Sequence, residues 1–469
     1  MQTVALFNHH VKVGFLLLGL SDALILVLGV TMGAVIRLPA LESPFNAEPW
    51  QLLPHALLVT AMVMGTMLAT GLYQSGLRES LAGIAKRLAV AFLVAGFPLA
   101  VAFYLMPQLY LGRGLLVLAL AFSYVGILGG RAVFQALASR AGLRRRILVL
   151  GTGRAAEALA RFRRRTDWFG KDLVGFARVE GDDHTPRVEA SRIVRLARPL
   201  CAFAGDQDID EIVVAVDERR RVLPVTELFE CRLQGIQVTD LLTFLERETG
   251  KVKLDLVSPS WFTYSPGFFY HGLLRKGVKR ALDLAVGSAV LVAASPLMLG
   301  SALAILIESR FGGPILYRQT RVGEGGRPFR ILKFRSMRVD AEQDGARWAE
   351  AEDPRITRVG AVLRKYRLDE LPQIFNILRG QMSLVGPRPE RPEMDEGLLA
   401  KLPYYSERYR VKPGLTGWAQ IRYPYGASLT DAFEKLQYDL YYVKNYSLFL
   451  DLLILLQTTE VVLWGKGAR

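Results

Sequence analysis

The stretch RLDELPQIFNILRGQMSLVGPRPERP, Arg367 to Pro392, sets two adjacent carboxylates, Asp369 and Glu370, among an unusual density of arginines. From Arg355 to Arg391 there are eight lysines or arginines (Arg355, Arg358, Arg364, Lys365, Arg367, Arg379, Arg388, Arg391) against three acids, Asp369, Glu370 and Glu390. That imbalance suits a polyanion, and a diphosphate is the natural candidate, because a guanidinium binds phosphate oxygens in pairs. Leu371, Ile374, Phe375 and Leu378 repeat at helical spacing, which predicts a helix opened by Asp369 and Glu370 with Pro372 tolerated in its first turn. A helix start favours carboxylates and phosphates alike. Taken alone, the same residues also fit a capped helix with a solvated basic face.

Further blocks follow in order around this stretch: YRQTRVG from Tyr317, KFRSM from Lys333, DPRITRVGAVLRKYRLDELPQ from Asp353, SLVGPRPE from Ser383, RYRVKPGLTGWAQI from Arg408 and YDLYYVKNYSLFLDL from Tyr438. In these blocks, from roughly Lys276 to the C-terminus, the chain resembles the bacterial sugar transferases, the polyprenyl-phosphate phosphoglycosyl transferases of the monotopic superfamily. The resemblance implies that Asp369 forms a covalent aspartyl-phosphosugar with release of a nucleoside monophosphate, after which a polyprenyl phosphate attacks. It implies that Glu370 is the general base or a Mg²⁺-associated group, and that Mg²⁺ is held at Asp369 and Glu370, whose hard oxygens suit it. Lys333, Arg335, Arg364 and Arg388 are then the expected phosphate or sugar-nucleotide contacts, though each also fits a surface cation. The prolines on either side of Arg388 stiffen its loop. Lys412, Pro413, Gly414, Thr416 and Gly417 form a turn-rich loop expected to close over the nucleotide.

Composition bounds the class independently. The chain has 469 residues, enough for two or three domains, and is 51% hydrophobic; its mean hydropathy is +0.23. These values point to a membrane protein. The net charge of +15 fits anionic lipid headgroups better than nucleic acid, because no run of bases interleaved with aromatics reads as a nucleic-acid binder. Cys201 and Cys231 are the only cysteines, without partners at metal-ligand spacing, and are expected to be reduced structural thiols. Five histidines give little material for a zinc site.

Four apolar runs lead the chain, about Val13 to Val35, Leu52 to Tyr73, Leu88 to Met106 and Leu115 to Leu128, each near the roughly 20 residues a spanning helix needs. The first has no small-residue cleavage site and is expected to stay as an anchor. Arg78, Glu79, Lys86 and Arg87 separate the second run from the third, and Arg131, Arg140 and Arg144 to Arg146 follow the fourth. The first loop has only Arg37 beside Glu42 and Glu48, and the third only Arg113. The positive-inside rule therefore puts both ends of this block in the cytoplasm.

Next, RRRILVLGTGRAAEALARF from Arg144 reads as a buried strand, a glycine turn and a helix. Strands are predicted at Leu173 to Val179, Glu211 to Asp217 and Ile236 to Thr239, so the segment is expected to form a small Rossmann-like α/β sheet. Gly151, Gly153 and Ala156 match the dinucleotide fingerprint in its permissive form, but no clear acidic residue sits about 20 positions on at a strand end, where a ribose would need it. No tyrosine occurs between Tyr124 and Tyr264, which removes the Tyr and Lys pair of short-chain dehydratases and epimerases. A structural or regulatory module is the expectation.

A fifth apolar run, about Ala281 to Ile307, is long enough to span a bilayer. Cations flank both of its ends (Lys276, Lys279, Arg280; then Arg310, Arg318, Arg321), and Ser295 with Pro296 falls within it. Proline removes a helix hydrogen bond and a serine can satisfy the freed carbonyl, so a re-entrant helix-break-helix on the cytoplasmic face is expected, with an ordinary kinked span as the alternative. The last run, SLFLDLLILLQTTEVVLW from Ser447, reads either as a helix packed on the catalytic domain or as an interfacial helix with Trp464, Lys466 and Arg469 at the boundary. Tyr438, Tyr441, Tyr442 and Tyr446 just before it suit a membrane surface.

The expected fold is thus a membrane protein of α plus α/β type: four transmembrane helices over 1–143, a Rossmann-like cytosolic module over 144–250, a linker over 251–275, and a monotopic phosphoglycosyl transferase domain over 276–469 with its re-entrant helix at 279–308. The expected activity is transfer of a sugar phosphate from a nucleotide diphosphate sugar, by default a UDP-hexose, to undecaprenyl phosphate at the bacterial inner membrane, starting an exopolysaccharide or O-antigen-like glycan. No nucleic-acid partner is expected; the oligomeric state is left open, with a homodimer as one candidate. A membrane-anchored nucleotide-sugar dehydratase or epimerase and a non-catalytic scaffold are the alternatives.

Overall fold

The leading apolar runs fold as α1 (Val13–Arg37), α2 (Leu53–Ala69), α3 (Leu81–Leu105) and α4 (Arg113–Ala138). The computed structural model describes residues 3–6, 9–37, 49–73, 81–138, 144–161, 170–179, 185–217, 222–268, 272–341, 353–423, 426 and 428–463. Arg78, Glu79, Glu42, Glu48 and Arg140, used above to orient the helices, lie outside them, as do Trp464, Lys466 and Arg469. α1, α3 and α4 are long and apolar enough to cross a bilayer. α2, with 17 residues and a length of about 26 Å, is shorter than the run that predicted it.

Large apolar side chains such as Leu20, Leu93, Phe97, Val117 and Val125 face outward from these helices, as a lipid-facing surface requires. Between the helices sits a charge pair: Asp22 of α1, fully buried, meets Arg131 of α4 at 2.7 Å. Tyr73 OH donates to the same Asp22 oxygen at 2.7 Å, and the Arg131 guanidinium lies 4.8 Å from the Tyr73 ring centroid. A charge inside an apolar block is tolerable only when paired in this way.

The chain divides into two compact units near Thr249 and Gly250. Within the first, β1 (Arg145–Leu150), β2 (Lys171–Ala177), β3 (Ile193–Val194), β4 (Glu211–Val214) and β5 (Gln237–Asp240) form an all-parallel sheet in the order β3-β2-β1-β4-β5. Its helices include α5 (Arg154–Ala160), α6 (Leu200–Asp206) and α7 (Val225–Leu233). Ile147 to Leu150 are buried on both sides because helices cover both faces. The two-residue edge strand β3 is too short to leave a sequence pattern. Cys201 and Cys231 are buried, free thiols in α6 and α7.

The second unit begins around one long helix, α8 (Leu273–Glu308). An antiparallel hairpin, β6 (Leu316–Val322) and β7 (Pro328–Phe334), follows, paired so that Tyr317 faces Lys333 and Gln319 faces Ile331. Then come α9 (Arg358–Lys365), a 3₁₀ turn at Leu368–Glu370, α10 (Gln373–Leu378), and a parallel pair of β8 (Ser383–Val385) with β9 (Gly414–Thr416). α11 (Leu429–Lys444), opened by a Ser428–Asp431 capping box, and α12 (Leu448–Leu463) close the unit. Its core centres on Ile377, Leu384, Trp418, Leu440, Tyr441, Tyr442 and Ile454.

Several expectations change here. Asp369 and Glu370 lie on the 3₁₀ turn ahead of α10 rather than in its first turn, because the chain enters that turn through Arg367 in a left-handed conformation (φ 54°) and Pro372 caps the helix proper. The KPGLTG segment is not a loop over the nucleotide. Pro413, Gly414, Thr416 and Gly417 are buried, and Gly414 to Thr416 are zipped to β8. Tyr441 and Tyr442 are core residues, each 1% exposed, Tyr441 stacking on Trp418 with ring centroids 5.7 Å apart. α8 continues as one helix through Pro296, with Ser295 Oγ donating to the Val292 carbonyl at 2.8 Å.

Candidate active site

The turn that carries Asp369 and Glu370 lies against the end of β7, and one buried side chain sets that distance. Asn376 of α10, fully buried, donates through Nδ2 to the Arg330 carbonyl at 2.8 Å and accepts the Leu332 amide at 3.0 Å. It thereby fixes α10 to the two residues flanking Ile331 on β7. Lys333, the next residue along, reaches across with its ammonium 3.2 Å from Glu370 Oε1. Arg388 arrives from the other side at 3.0 Å from the same oxygen, and Arg367 stands 4.0 Å from Oε2.

Three cations on one carboxylate decide its charge. Burial pushes the Glu370 carboxyl upward, but Lys333, Arg388 and Arg367 outweigh it and hold it well below the usual carboxylate range. Asp369 goes the other way: burial raises its carboxyl, with Lys333 opposing and the neighbouring Glu370 charge adding to the rise. Arg364 and Arg388 act on it only through space, and among the described residues no hydrogen bond ties it down. Burial also pulls the Lys333 ammonium down, against the pull of Glu370. The adjacent acids are therefore unlike: one is a fixed anion that holds cations in place, the other a half-buried carboxylate left uncommitted.

Lys333 and Arg388 thus meet at the carboxylates, and Arg364 is close enough to Asp369 to be felt. Arg335 is engaged elsewhere, donating through both terminal nitrogens to the Gly312 carbonyl at 3.3 Å. Arg355, counted among the cations of the block, is held by Asp353 at 2.6 and 2.8 Å.

The loop bearing Arg388 is braced by residues whose part in holding it was not legible in the sequence. Arg408, buried, donates to the Arg388 carbonyl at 2.8 Å, to Asp439 at 2.9 Å and to Tyr405 OH at 2.7 Å. Arg321 donates to the Pro389 carbonyl at 3.1 Å. Lys279 and Tyr442 OH both donate to the Val385 carbonyl, at 3.2 and 3.0 Å. No sequence signal marks Arg408 or Asp439 for this role, whereas the polar Asn376 between Ile374 and Ile377 is a signal that could have found the tie between α10 and β7.

α8 is bound to this unit along its length. Arg280 caps the C-terminus of α10 by donating to the Ile377 and Leu378 carbonyls at 2.6 Å each, as a cation at a helix end should. Asp283 accepts from Ser383 and the Leu384 amide at 3.0 Å each, and Lys279 pairs with Asp451 of α12 at 2.8 Å. At its other end Glu308 accepts the Val359 amide at 3.0 Å. Val292, Leu299, Leu303 and Ile307 are left exposed on its outer side. Fold and site together define a membrane-associated protein with two adjacent, unlike carboxylates set among cations.

Comparison with known proteins narrows this class. Residues 274–465 match the family model described as bacterial sugar transferase, and residues 68–233 match one described as CoA-binding domain. Over 98% of its length, and 98% of the relative's, the chain is 31% identical to the UDP-glucose:undecaprenyl-phosphate glucose-1-phosphate transferase of Klebsiella pneumoniae. It is 32% identical to the protein of that name from Escherichia coli (strain K12) over 69% of each chain. To the UDP-N-acetylgalactosamine-undecaprenyl-phosphate N-acetylgalactosaminephosphotransferase of Aeromonas hydrophila it is 43% identical over 52% of its own length, a match that spans little more than half, 56%, of that relative. The chain belongs to the bacterial sugar transferase family.

Proposed function

We propose that this protein moves a sugar phosphate from a nucleotide diphosphate sugar to undecaprenyl phosphate by way of Asp369. The observation that carries the reading is the inequality of the two carboxylates: Glu370 is saturated by Lys333, Arg388 and Arg367, while Asp369 beside it is desolvated and uncommitted. A desolvated carboxylate next to anchored cations is a nucleophile suited to phosphorus. In the first step an Asp369 oxygen bonds to the phosphorus that carries the sugar, and the phosphoanhydride bond breaks to release the nucleoside monophosphate. In the second, a phosphate oxygen of the polyprenyl phosphate attacks the same phosphorus and Asp369 leaves as a free carboxylate. Lys333, Arg364 and Arg388 stand where the charge on the transferred phosphoryl group must be met.

Asp369 is the residue that would hold a magnesium ion together with substrate oxygens, since both oxygens of Glu370 face cations; once bound, the ion would neutralise the diphosphate. The names of the relatives support nucleotide sugar and undecaprenyl phosphate as substrates, and leave the sugar open.

Two features of α8 support a reading of the membrane arrangement. A straight helix of 36 residues is about 54 Å long, more than a bilayer core, yet its two ends are hydrogen-bonded to one unit. We infer that both ends lie on one face of the membrane, with the helix bending at Pro296 within the near leaflet and its outer apolar side in lipid. The cation distribution around the four leading helices supports the cytoplasmic face of the inner membrane, where nucleotide sugars are available. The glycan started there would be an exopolysaccharide or O-antigen-like polymer. Purified protein incubated with UDP-sugars, Mg²⁺ and undecaprenyl phosphate tests the reaction: UMP release with a phosphosugar adduct on Asp369 in the trapped protein is expected. Absence of nucleoside monophosphate release with every nucleotide sugar would sink it.

A further inference from the structure

On a doubly wound sheet, a CoA-binding likeness over residues 68–233 would place the ligand's pyrophosphate at the turn after β1, against the amides that open α5. Those amides are taken by the protein itself. The Arg154 amide donates to Asp217 Oδ2 at 2.7 Å and the Ala155 amide to Asp217 Oδ1 at 2.7 Å. Asp217 lies just beyond the end of β4, the strand beside β1 at the point where the strand order reverses, which is the crevice such ligands use. One carboxylate bridging two successive amides makes the contacts a phosphate group would make.

Space is used up along with hydrogen bonds. A Cβ on Gly153 would fall 2.0 Å from Asp217 Oδ2. One on Gly151, whose φ is +124°, would fall 2.3 Å from the Ala215 carbonyl oxygen. In a dinucleotide site the second glycine of the motif lets the backbone approach the pyrophosphate; here it lets the backbone approach Asp217. Both glycines are thus required by the chain's own packing, and an incoming phosphate would have to displace a carboxylate and then remain beside it against like-charge repulsion.

We infer that the glycine turn of this module is a self-filled anion site. Asp217 is a clasp joining the β1–α5 turn to the end of β4, and the turn does not take the pyrophosphate of CoA or of a dinucleotide. The residues present do not fit the cofactor that the second family model names.

Full-length protein in detergent, titrated separately with CoA and NAD⁺ to about 1 mM, where even a weak site fills, and followed by hydrogen–deuterium exchange across residues 151–155, provides the test. Neither compound is expected to slow exchange there, and Asp217→Asn is expected to speed exchange at Arg154 and Ala155 about tenfold through loss of the charge-assisted bonds. Binding of CoA that leaves these amides unprotected supports the assignment, since it puts the ligand elsewhere. Protection of the turn by either compound in the unsubstituted protein overturns it, and that measurement does not depend on the variant folding. Unchanged exchange in a folded Asp217→Asn protein overturns it as well.

Discussion

Arg408 Nη2 donates to the backbone carbonyl of Arg388 at 2.8 Å, so the loop that presents one guanidinium to Glu370 is held by another. The same Arg408 nitrogen donates to Asp439, whose carboxyl burial pushes up to about 6 despite the opposing Arg408 charge. This brace makes a pH-dependent contribution of its own. Because folding raises the Asp439 pKa above its ordinary 3.8, the folded chain binds this proton more tightly than the unfolded one. The stabilisation is complete below about pH 4 and is lost as pH rises through about 6, on the order of 3 kcal/mol in all. In Asp439→Asn that slope should vanish from unfolding free energies measured between pH 4 and 7, whereas an unchanged slope would show that another group titrates.

Asp369→Asn should abolish UMP release, by at least about 10³-fold. Burial raises this carboxyl, so its ionised form costs the folded state stability, and the neutral amide should melt no lower than the parent protein. An inactive variant with a clearly lowered Tm would instead mark Asp369 as a structural residue.

Lys333→Met removes the largest of the charges that pull the Asp369 carboxyl down. The acid limb of kcat/KM, where the nucleophile is lost by protonation, should therefore move to higher pH. A limb that stays in place would dissociate Lys333 from the nucleophile.

Asp22→Asn or Arg131→Met alone leaves a buried charge without its partner and should cost about 3 to 5 kcal/mol in detergent unfolding. The double variant Asp22→Leu with Arg131→Met should recover most of that loss. Equal losses in single and double variants would mean that the pair's charge is not what matters.

Single cysteines placed at Arg275 and Arg310, in a background with Cys201 and Cys231 replaced, should both resist a membrane-impermeant maleimide in intact spheroplasts and both react after lysis. Labelling of only one from outside would show α8 to be an ordinary span.

The sequence on its own revealed the leading helices, the α/β alternation and the carboxylate–arginine block, because each is written in contiguous residues: transfer of apolar side chains to lipid or core adds up locally, and strand and helix periods are local too. It misjudged Tyr441 and Tyr442, since a tyrosine row looks the same whether it meets a membrane surface or stacks on Trp418. It also treated eight cations as one basic field, although Arg355 answers to Asp353 while Lys333 and Arg388 answer to Glu370. Apart from the local Arg355–Asp353 pair, those assignments, like Asn376 on β7, Lys279 on Asp451 and Asp217 on the glycine turn, join residues that are 18 to 172 positions apart. Hydrogen bonds and ion pairs act over about 3 Å, and only the folded chain determines which groups come that close.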